Sequence, residues 1–333
     1  MLKTLAIETS CDDTSIGIIN FDKNIFTVEK LLAYSQIQNH QKYWGVVPEI
    51  ASRLHSEKIV EILQNIGRDE IKKVDFISVT THPGLPWALV VGKAAAATLG
   101  SFFDKPVIQV NHIYWHICSL FLERDISEIK FPLIVLTASW WHNDIYLIEK
   151  ISENYKLEIK KLGQTLDDAA WECFDKVARM LGGPYPWWVR ISEKALKWKP
   201  NDLVKFKRIF LAKDEYNFSF SGMKSQVWFL LEDFKKKGID IDEQLICDIA
   251  YEFQEAMVEV LAKKLIQAGL EYSAQTIGIS WWVSANDRLR EYLNELKDKR
   301  LRNAQILRPN KKIYSTDNAA MIGTEWVLEY INQ

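Results

Sequence analysis

One order of elements runs twice through this chain, and that repetition restricts the fold more than any single motif does. Leu5-Ala6-Ile7 and Ile16-Gly17-Ile18-Ile19 are short apolar runs separated by the polar turn Thr9-Ser10-Cys11-Asp12-Asp13-Thr14, the pattern of a hairpin. A third strand is expected at Leu31 to Ser35. Apolar residues at Ile50, Leu54, Ile59, Ile62, Leu63 and Ile66, with charges between them, predict an amphipathic helix. A buried strand at Val74 to Val79, a helix from Pro86 to Phe103, a strand at Pro106 to Val110 and a helix from near His112 complete an α/β half. The alternation then restarts. Strands are expected at Phe131 to Thr137, Asp144 to Lys150 and Leu157 to Gly163, and helices near Asp168 to Leu181 and Trp188 to Lys197. Helices at Gly222 to Lys236, Asp242 to Gln267, Ser284 to Lys297 and Asp317 to Ile331, with a short strand at Thr276 to Ser280, finish the chain. Two β-meanders, each followed by helices, predict a duplicated two-lobe α/β protein with a cleft between the lobes.

Charge and cysteine usage narrow the function classes. With 42 basic and 44 acidic residues in 333, the net charge is −2, so a nucleic-acid ligand would need a local basic patch or help from a partner. Cys11, Cys118, Cys173 and Cys247 lie far apart and form no C-x-x-C pair, which reads as reduced thiols in a cytosolic protein. The N-terminal stretch reaches Glu8 before a signal-peptide core can form, and Lys93 interrupts the most apolar segment, Pro86 to Phe103. A cytoplasmic location without a membrane span is expected.

Four segments carry candidate chemistry. In His112-Ile113-Tyr114-Trp115-His116 the imidazoles stand at i and i+4, on one helix face, as a metal ion requires. Ile113 occupies the place where a metalloprotease needs its general-base Glu, so that mechanism is excluded, and two polar side chains at a helix mouth remain the plain alternative. Thr316-Asp317-Asn318 opens an apolar helix, where Asp317 is either a third, acidic metal ligand or an N-cap. The acid-rich turn Glu8 to Thr14 suits a nucleotide and its metal or simply faces solvent. Leu136-Thr137-Ala138-Ser139-Trp140-Trp141-His142 ends a buried strand, where ligands sit in α/β folds.

Taken together these segments resemble the bacterial TsaD family of tRNA N6-adenosine threonylcarbamoyltransferases, related to the catalytic subunit of the KEOPS complex. The resemblance runs from Ile7-Glu8-Thr9-Ser10-Cys11-Asp12 to Thr316-Asp317-Asn318-Ala319-Ala320-Met321-Ile322. Between them stand Val46-Val47-Pro48-Glu49-Ile50-Ala51-Ser52-Arg53, Pro83-Gly84-Leu85-Pro86, Asn111-His112 with His116, Asp167-Asp168-Ala169-Ala170, Phe174-Asp175-Lys176-Val177-Ala178-Arg179 and Phe218-Ser219-Phe220-Ser221-Gly222-Met223-Lys224. The resemblance implies a two-lobe actin-like, sugar-kinase-like (ASKHA) fold with a nucleotide between the lobes, a first lobe of residues 1–128 plus 317–333 and a second of 129–316. It implies a metal, iron(II) or else zinc, on His112, His116 and Asp317. It further implies L-threonylcarbamoyl-AMP bound by Thr137, Ala138, Ser139, Trp140, Trp141, Asp175, Trp188 and Asn286, with Asp12 as the candidate catalytic residue. The acyl group would go to N6 of adenosine 37 in tRNAs reading codons that begin with A. TsaB-like and TsaE-like partners and a TsaC-type synthase supplying the adenylate belong to the same expectation.

The departures from the family form one pattern. At Trp44, Trp87, Trp115, Trp140, Trp141, Trp171, Trp187, Trp188, Trp281 and Trp282 the family has Gly; Trp198 and Trp326 fall at looser glycine positions, and Trp228 alone has no glycine counterpart. Thirteen Trp against 14 Gly inverts the usual ratio, since Gly is ordinarily about 7% of residues. Translation of a gene whose UGA codons mean glycine, under a code in which they mean tryptophan, would write this pattern. Deliberate glycine-to-tryptophan engineering and an inactive scaffold paralogue with a filled cleft are the competing readings.

Overall fold

The computed structural model describes residues 1–43, 45–138, 143–151, 157–183, 187–199, 203–211, 215–281 and 285–330. Two compact units emerge: Met1–Lys130 with Lys150–Glu158 and Leu307–Gln333, and Phe131–Glu149 with Ile159–Ile306.

In the first unit β1 (Leu2–Glu8), β2 (Asp13–Asp22) and β3 (Ile25–Ser35) form an antiparallel meander. The short helix α1 (Ile37–Gln41), α2 (Pro48–Ile66) and a single turn, α3 (Arg68–Lys72), lead to β4 (Phe76–His82), which pairs parallel to β1. Helix α4 (Pro86–Phe103), strand β5 (Val107–Asn111) and helix α5 (His112–Cys118) follow, and the sheet order is β3-β2-β1-β4-β5. Leu5, Ala6 and Ile7 of the central β1 are all fully buried, the mark of a strand covered on both faces. On one face Leu5, Ile7, Ile16, Ile18, Ile77 and Val79 meet Ile59, Ile62 and Ile66 of α2 and Ala96 of α4. Each large aliphatic side chain buried there contributes roughly 1.5–3 kcal/mol.

Proline explains where the two long helices begin. Pro48 and Pro86 open α2 and α4, where a missing N–H costs nothing, and Asp104 ends α4 in the left-handed conformation (φ 52°). Among the described residues α4 alone is long and apolar enough to cross a bilayer, yet Ala88, Leu89, Gly92, Ala96 and Gly100 give it a face buried in the first unit. Strand β4 starts later than the apolar run at Val74 implies, because Asp75 ends the connection by clamping Lys3: its carboxylate accepts from Lys3 N–H (2.8 Å) and its N–H donates to the Lys3 carbonyl (2.7 Å).

The second unit repeats the meander with β6 (Leu133–Ala138), β7 (Asn143–Ile151) and β8 (Leu157–Gly163). Helices α6 (Ala170–Met180), α7 (Trp187–Ala195), α8 (Ser221–Lys236) and α9 (Glu243–Glu271) precede β9 (Thr276–Trp281), α10 (Asp287–Arg300) and β10 (Gln305–Leu307). Sheet order is β10-β9-β6-β7-β8, and the long α9 packs on α7 and α10. Helix α10 begins at Asp287, later than Ser284, because Asn286 is its cap: Oδ1 accepts from Leu289 N–H at 2.9 Å.

The chain returns to the first unit in α11 (Ala319–Tyr330), which packs on β1, β2 and α5 with Ala319, Ala320, Met321 and Ile322 fully buried. Its start corrects the expected boundary at Asp317. Asn318 Oδ1 accepts from Ala320 N–H (3.0 Å) and Ser15 Oγ from Ala319 N–H (3.1 Å), so the N-cap role belongs to Asn318.

Candidate metal centre and ligand site

Asn318 takes the N-cap role, and the packing of α11 on α5 brings the neighbouring Asp317 to the two histidines. His112, His116 and Asp317 each offer a ligand atom, and the three atoms lie within 4.8 Å of one another. Ligands of one ion held at about 2.0–2.2 Å stand roughly 3–4 Å apart, so side-chain rotations of about an ångström close the set. Two imidazoles and one carboxylate with open positions suit iron(II) or zinc.

The surroundings prepare each ligand. Ser10 Oγ lies 3.1 Å from His112 Nδ1, with Glu8 Oε2 at 3.9 Å, which leaves the other ring nitrogen for a metal. Burial opposes a charge on His112, but the Glu8 and Asp317 carboxylates outweigh it and hold the ring above the usual imidazole range. His116 is driven well below that range by burial and then by His112, the neutral state a metal ligand needs. Glu8, fully buried, stays ionised below the usual carboxylate range: burial pushes it up, and His112, Ser10 and Thr80 more than compensate. Burial raises Asp12, and burial together with the Asp12 charge raises Asp13 well above the carboxylate range. Carboxylates crowded in this way favour a cation in their midst.

The motif glycines of this unit serve close approach. A Cβ on Gly84 would stand 2.7 Å from the Ser10 carbonyl, Leu85 N–H donates to that carbonyl (2.8 Å), and Thr9 Oγ1 donates to Ala88 O (2.9 Å). Thus Pro83-Gly84-Leu85-Pro86 grips the turn that carries Asp12. Trp115 does the opposite. Its indole is fully buried, its ring centroid is 4.3 Å from that of His112 and 4.1 Å from that of His116, and its Nε1 finds no acceptor among the described residues.

In the second unit, β6 and β9 run parallel and in register, with Thr137 opposite Ser280 and Ala138 opposite Trp281. The carboxyl ends of adjacent parallel strands are where α/β sheets take ligands. Trp281 sits there at φ 65°, a left-handed backbone that a bulky side chain rarely adopts. Asp175 is buried in α6, its carboxyl raised to about 7 by desolvation, and its Oδ1 has no hydrogen-bond partner among the described residues. Asn286 spends Oδ1 on the α10 cap and donates Nδ2 to Gln254 Oε1 (3.3 Å). Ser139, Trp140 and Trp141 lie outside the described residues, as does the side chain of Trp188, which stands in the first turn of α7.

Two of the sequence motifs prove to be halves of one clasp. Asp167 accepts from Ser219 Oγ (2.6 Å), Phe220 N–H (2.8 Å) and Ser221 Oγ (2.7 Å) at the start of α8, while Asp168 pairs with Lys224 (2.6 Å) and Lys176 (3.3 Å). Residue patterns alone gave Glu8 no more than a turn position; its buried place beside His112 needed the fold.

Comparison with known proteins agrees with this architecture. A family model described as TsaD, tRNA N6-adenosine threonylcarbamoyltransferase, matches residues 27–324. A protein of that name from Syntrophomonas wolfei subsp. wolfei is 39% identical over 334 residues, 99% of this chain and 93% of its own length. Among solved structures, T. kodakarensis HypF superposes with a TM-score of 0.64 at 14% identity, covering 99% of this chain and 48% of HypF. The activator of 2-hydroxyisocaproyl-CoA dehydratase from Clostridium difficile gives 0.55 at 10%, covering 99% and 96%. These distant likenesses speak to fold alone, and the fold is of the actin-like, sugar-kinase-like class.

Proposed function

Since this chain belongs to the tRNA N6-adenosine threonylcarbamoyltransferase family, we propose that it transfers the threonylcarbamoyl group of L-threonylcarbamoyl-AMP to N6 of adenosine 37 in tRNAs reading codons that begin with A. The observation that carries the reading is the meeting of His112, His116 and Asp317 in a chain of this family. In the reaction the N6 amine attacks the carbonyl carbon, the bond from that carbon to the AMP oxygen breaks, AMP leaves, and the amine gives up a proton. The work required is orientation of amine against carbonyl and stabilisation of the oxyanion.

Residues Thr137 to Trp141, Asp175, Trp188 and Asn286 are assigned to the adenylate. Asp12, raised by burial, is assigned to accept the amine proton. Iron(II) is the expected metal on His112, His116 and Asp317, with zinc the alternative; when bound it supplies Lewis acidity and a template for the ligand's oxygens. The functional lobes are 1–128 with 317–333, and 129–316. The protein works in the cytoplasm with a TsaB-like partner and a TsaE-like ATPase, on adenylate from a TsaC-type synthase, and the net charge of −2 fits a tRNA bound with help.

The left-handed backbone at Trp281 and the indole pressed on both histidines at Trp115 favour a chain with glycine at the motif tryptophans. The inactive-scaffold and engineered-chain readings remain the alternatives. The test is reconstitution with purified partners, tRNA, threonine, bicarbonate and ATP, with the tRNA digested and its nucleosides weighed. Threonylcarbamoyladenosine from the glycine-restored chain is expected, and none from the Trp-containing chain; no product from either would overturn the assignment.

A further inference from the structure

Gln36, His40 and His55 of the first unit have no exposed surface, and the transfer as written uses none of them. Their hydrogen bonds form one chain with a fixed direction. Val47 N–H donates to His40 Nδ1 (3.2 Å), which leaves His40 Nε2 to donate to Gln36 Oε1 (3.1 Å). The Gln36 amide nitrogen donates to His55 Nδ1 (3.4 Å), as does Thr14 Oγ1 (2.8 Å), and His55 Nε2 then donates to the Cys11 carbonyl (2.9 Å). Each step is satisfied only if both rings are neutral with the proton on Nε2. Burial, which pushes both histidines below the usual imidazole range, agrees.

The far end of the chain is what gives it a purpose. The Cys11 carbonyl belongs to the peptide plane preceding the Asp12 α-carbon, and the Asp12 carbonyl, which accepts from Gln36 N–H (3.0 Å), belongs to the plane following it. With both planes pinned, φ and ψ of Asp12 are set, and so is the direction of its Cα–Cβ bond, from which the carboxylate swings only by side-chain rotation. The Thr9 and Gly84 contacts hold the earlier half of the turn and do not reach these two planes.

We propose that His55 is a positioning residue for the transfer reaction, aiming the Asp12 carboxylate by holding the Cys11–Asp12 peptide, with Gln36 and His40 fixing its tautomer. This rests on Asp12 acting in the transfer. His55→Asn keeps an acceptor where Nδ1 stood and loses the donor to Cys11, whereas His55→Gln places an amide N–H near Nε2. In the glycine-restored full chain with its partners, His55→Asn should lower kcat roughly 10–100-fold, with KM for the adenylate and metal content unchanged. His55→Gln should recover most of the loss. In an Asp12→Asn background, His55→Asn should cost little more.

The outcomes separate cleanly. Full kcat in His55→Asn, or equal losses in the Asn and Gln variants that follow a common drop in melting temperature, overturns the positioning role. Additive losses of Asp12→Asn and His55→Asn overturn action through Asp12. An inactive parent chain sinks the functional reading itself, and full activity of Asp12→Asn in an active parent removes the Asp12 premise and the proposal with it.

Discussion

His112 and His116 share a helix face but not an environment, and the difference decides how the site behaves when residues change. His112 leans on Ser10 and Glu8, whereas His116 is neutral by burial. Replacing His112 or Asp317 by Ala should abolish stoichiometric metal, read by elemental analysis of the purified protein; full metal in either variant would refute the site. Glu8→Gln should weaken metal binding roughly 10–100-fold, as loss of a partner behind a ligand does. Asp175 bears on stability. Its folded-state pKa is raised from 3.8 to about 7, so between those values the unfolded chain is ionised while the native side chain keeps its proton. Stability therefore falls as pH rises from about 4 to 7, then levels off, with a loss on the order of 4 kcal/mol at most. Asp175→Asn should flatten that slope and be the more stable protein at pH 8. Urea midpoints across the range measure it, and an unchanged slope would contradict the buried-acid assignment.

Elements with a proline at the start or a long apolar face were readable from residue order; very short ones were not, and two Asn caps hid where their helices begin. Helix α4 runs from Pro86 to Phe103 as expected. Helices α1 and α3 have five residues each, too few to display a period, and neither was expected. The starts of α10 and α11 moved because Asn286 and Asn318 cap from just outside, and an Asn in a polar run reads equally as cap, loop or ligand. For the same reason the pattern could not choose between ligand and cap for Asp317. Family likeness named the triad, and only packing of α11 on α5 shows how residues so distant in sequence meet. Asn318 also donates to the carbonyls of Ile313 (2.9 Å) and Thr316 (2.8 Å), bracing the backbone that leads into Asp317. Asn318→Ala should cost about 1 kcal/mol for the lost cap and also lower metal occupancy. A stability loss with metal affinity intact would show that the brace does not matter to the ligand.

At the scale of the whole molecule, Trp115 stands against the two histidines and Trp281 at the carboxyl end of β9. Glycine is expected at the ten motif positions in the cell that makes this protein, because at Trp281 the backbone is left-handed and at Trp115 an indole N–H is buried with no acceptor among the described residues. Peptide masses from that cell reading Gly at Trp115 and Trp281, with UGA codons in the gene, would establish it. Native peptides carrying Trp would refute it. The order of segments has one more consequence. The first unit is interrupted: its sheet and both histidines are made early, but Asp317 and α11, which covers β1 and β2, follow only after the whole second unit. On the ribosome the second unit can therefore close while the first still exposes one face of its sheet, and metal capture waits for the final helix to emerge. Nascent chains halted before residue 317 should hold no metal and should be cut readily by protease within the first 130 residues, so that a chain abandoned partway is marked for removal before it can draw a metal ion.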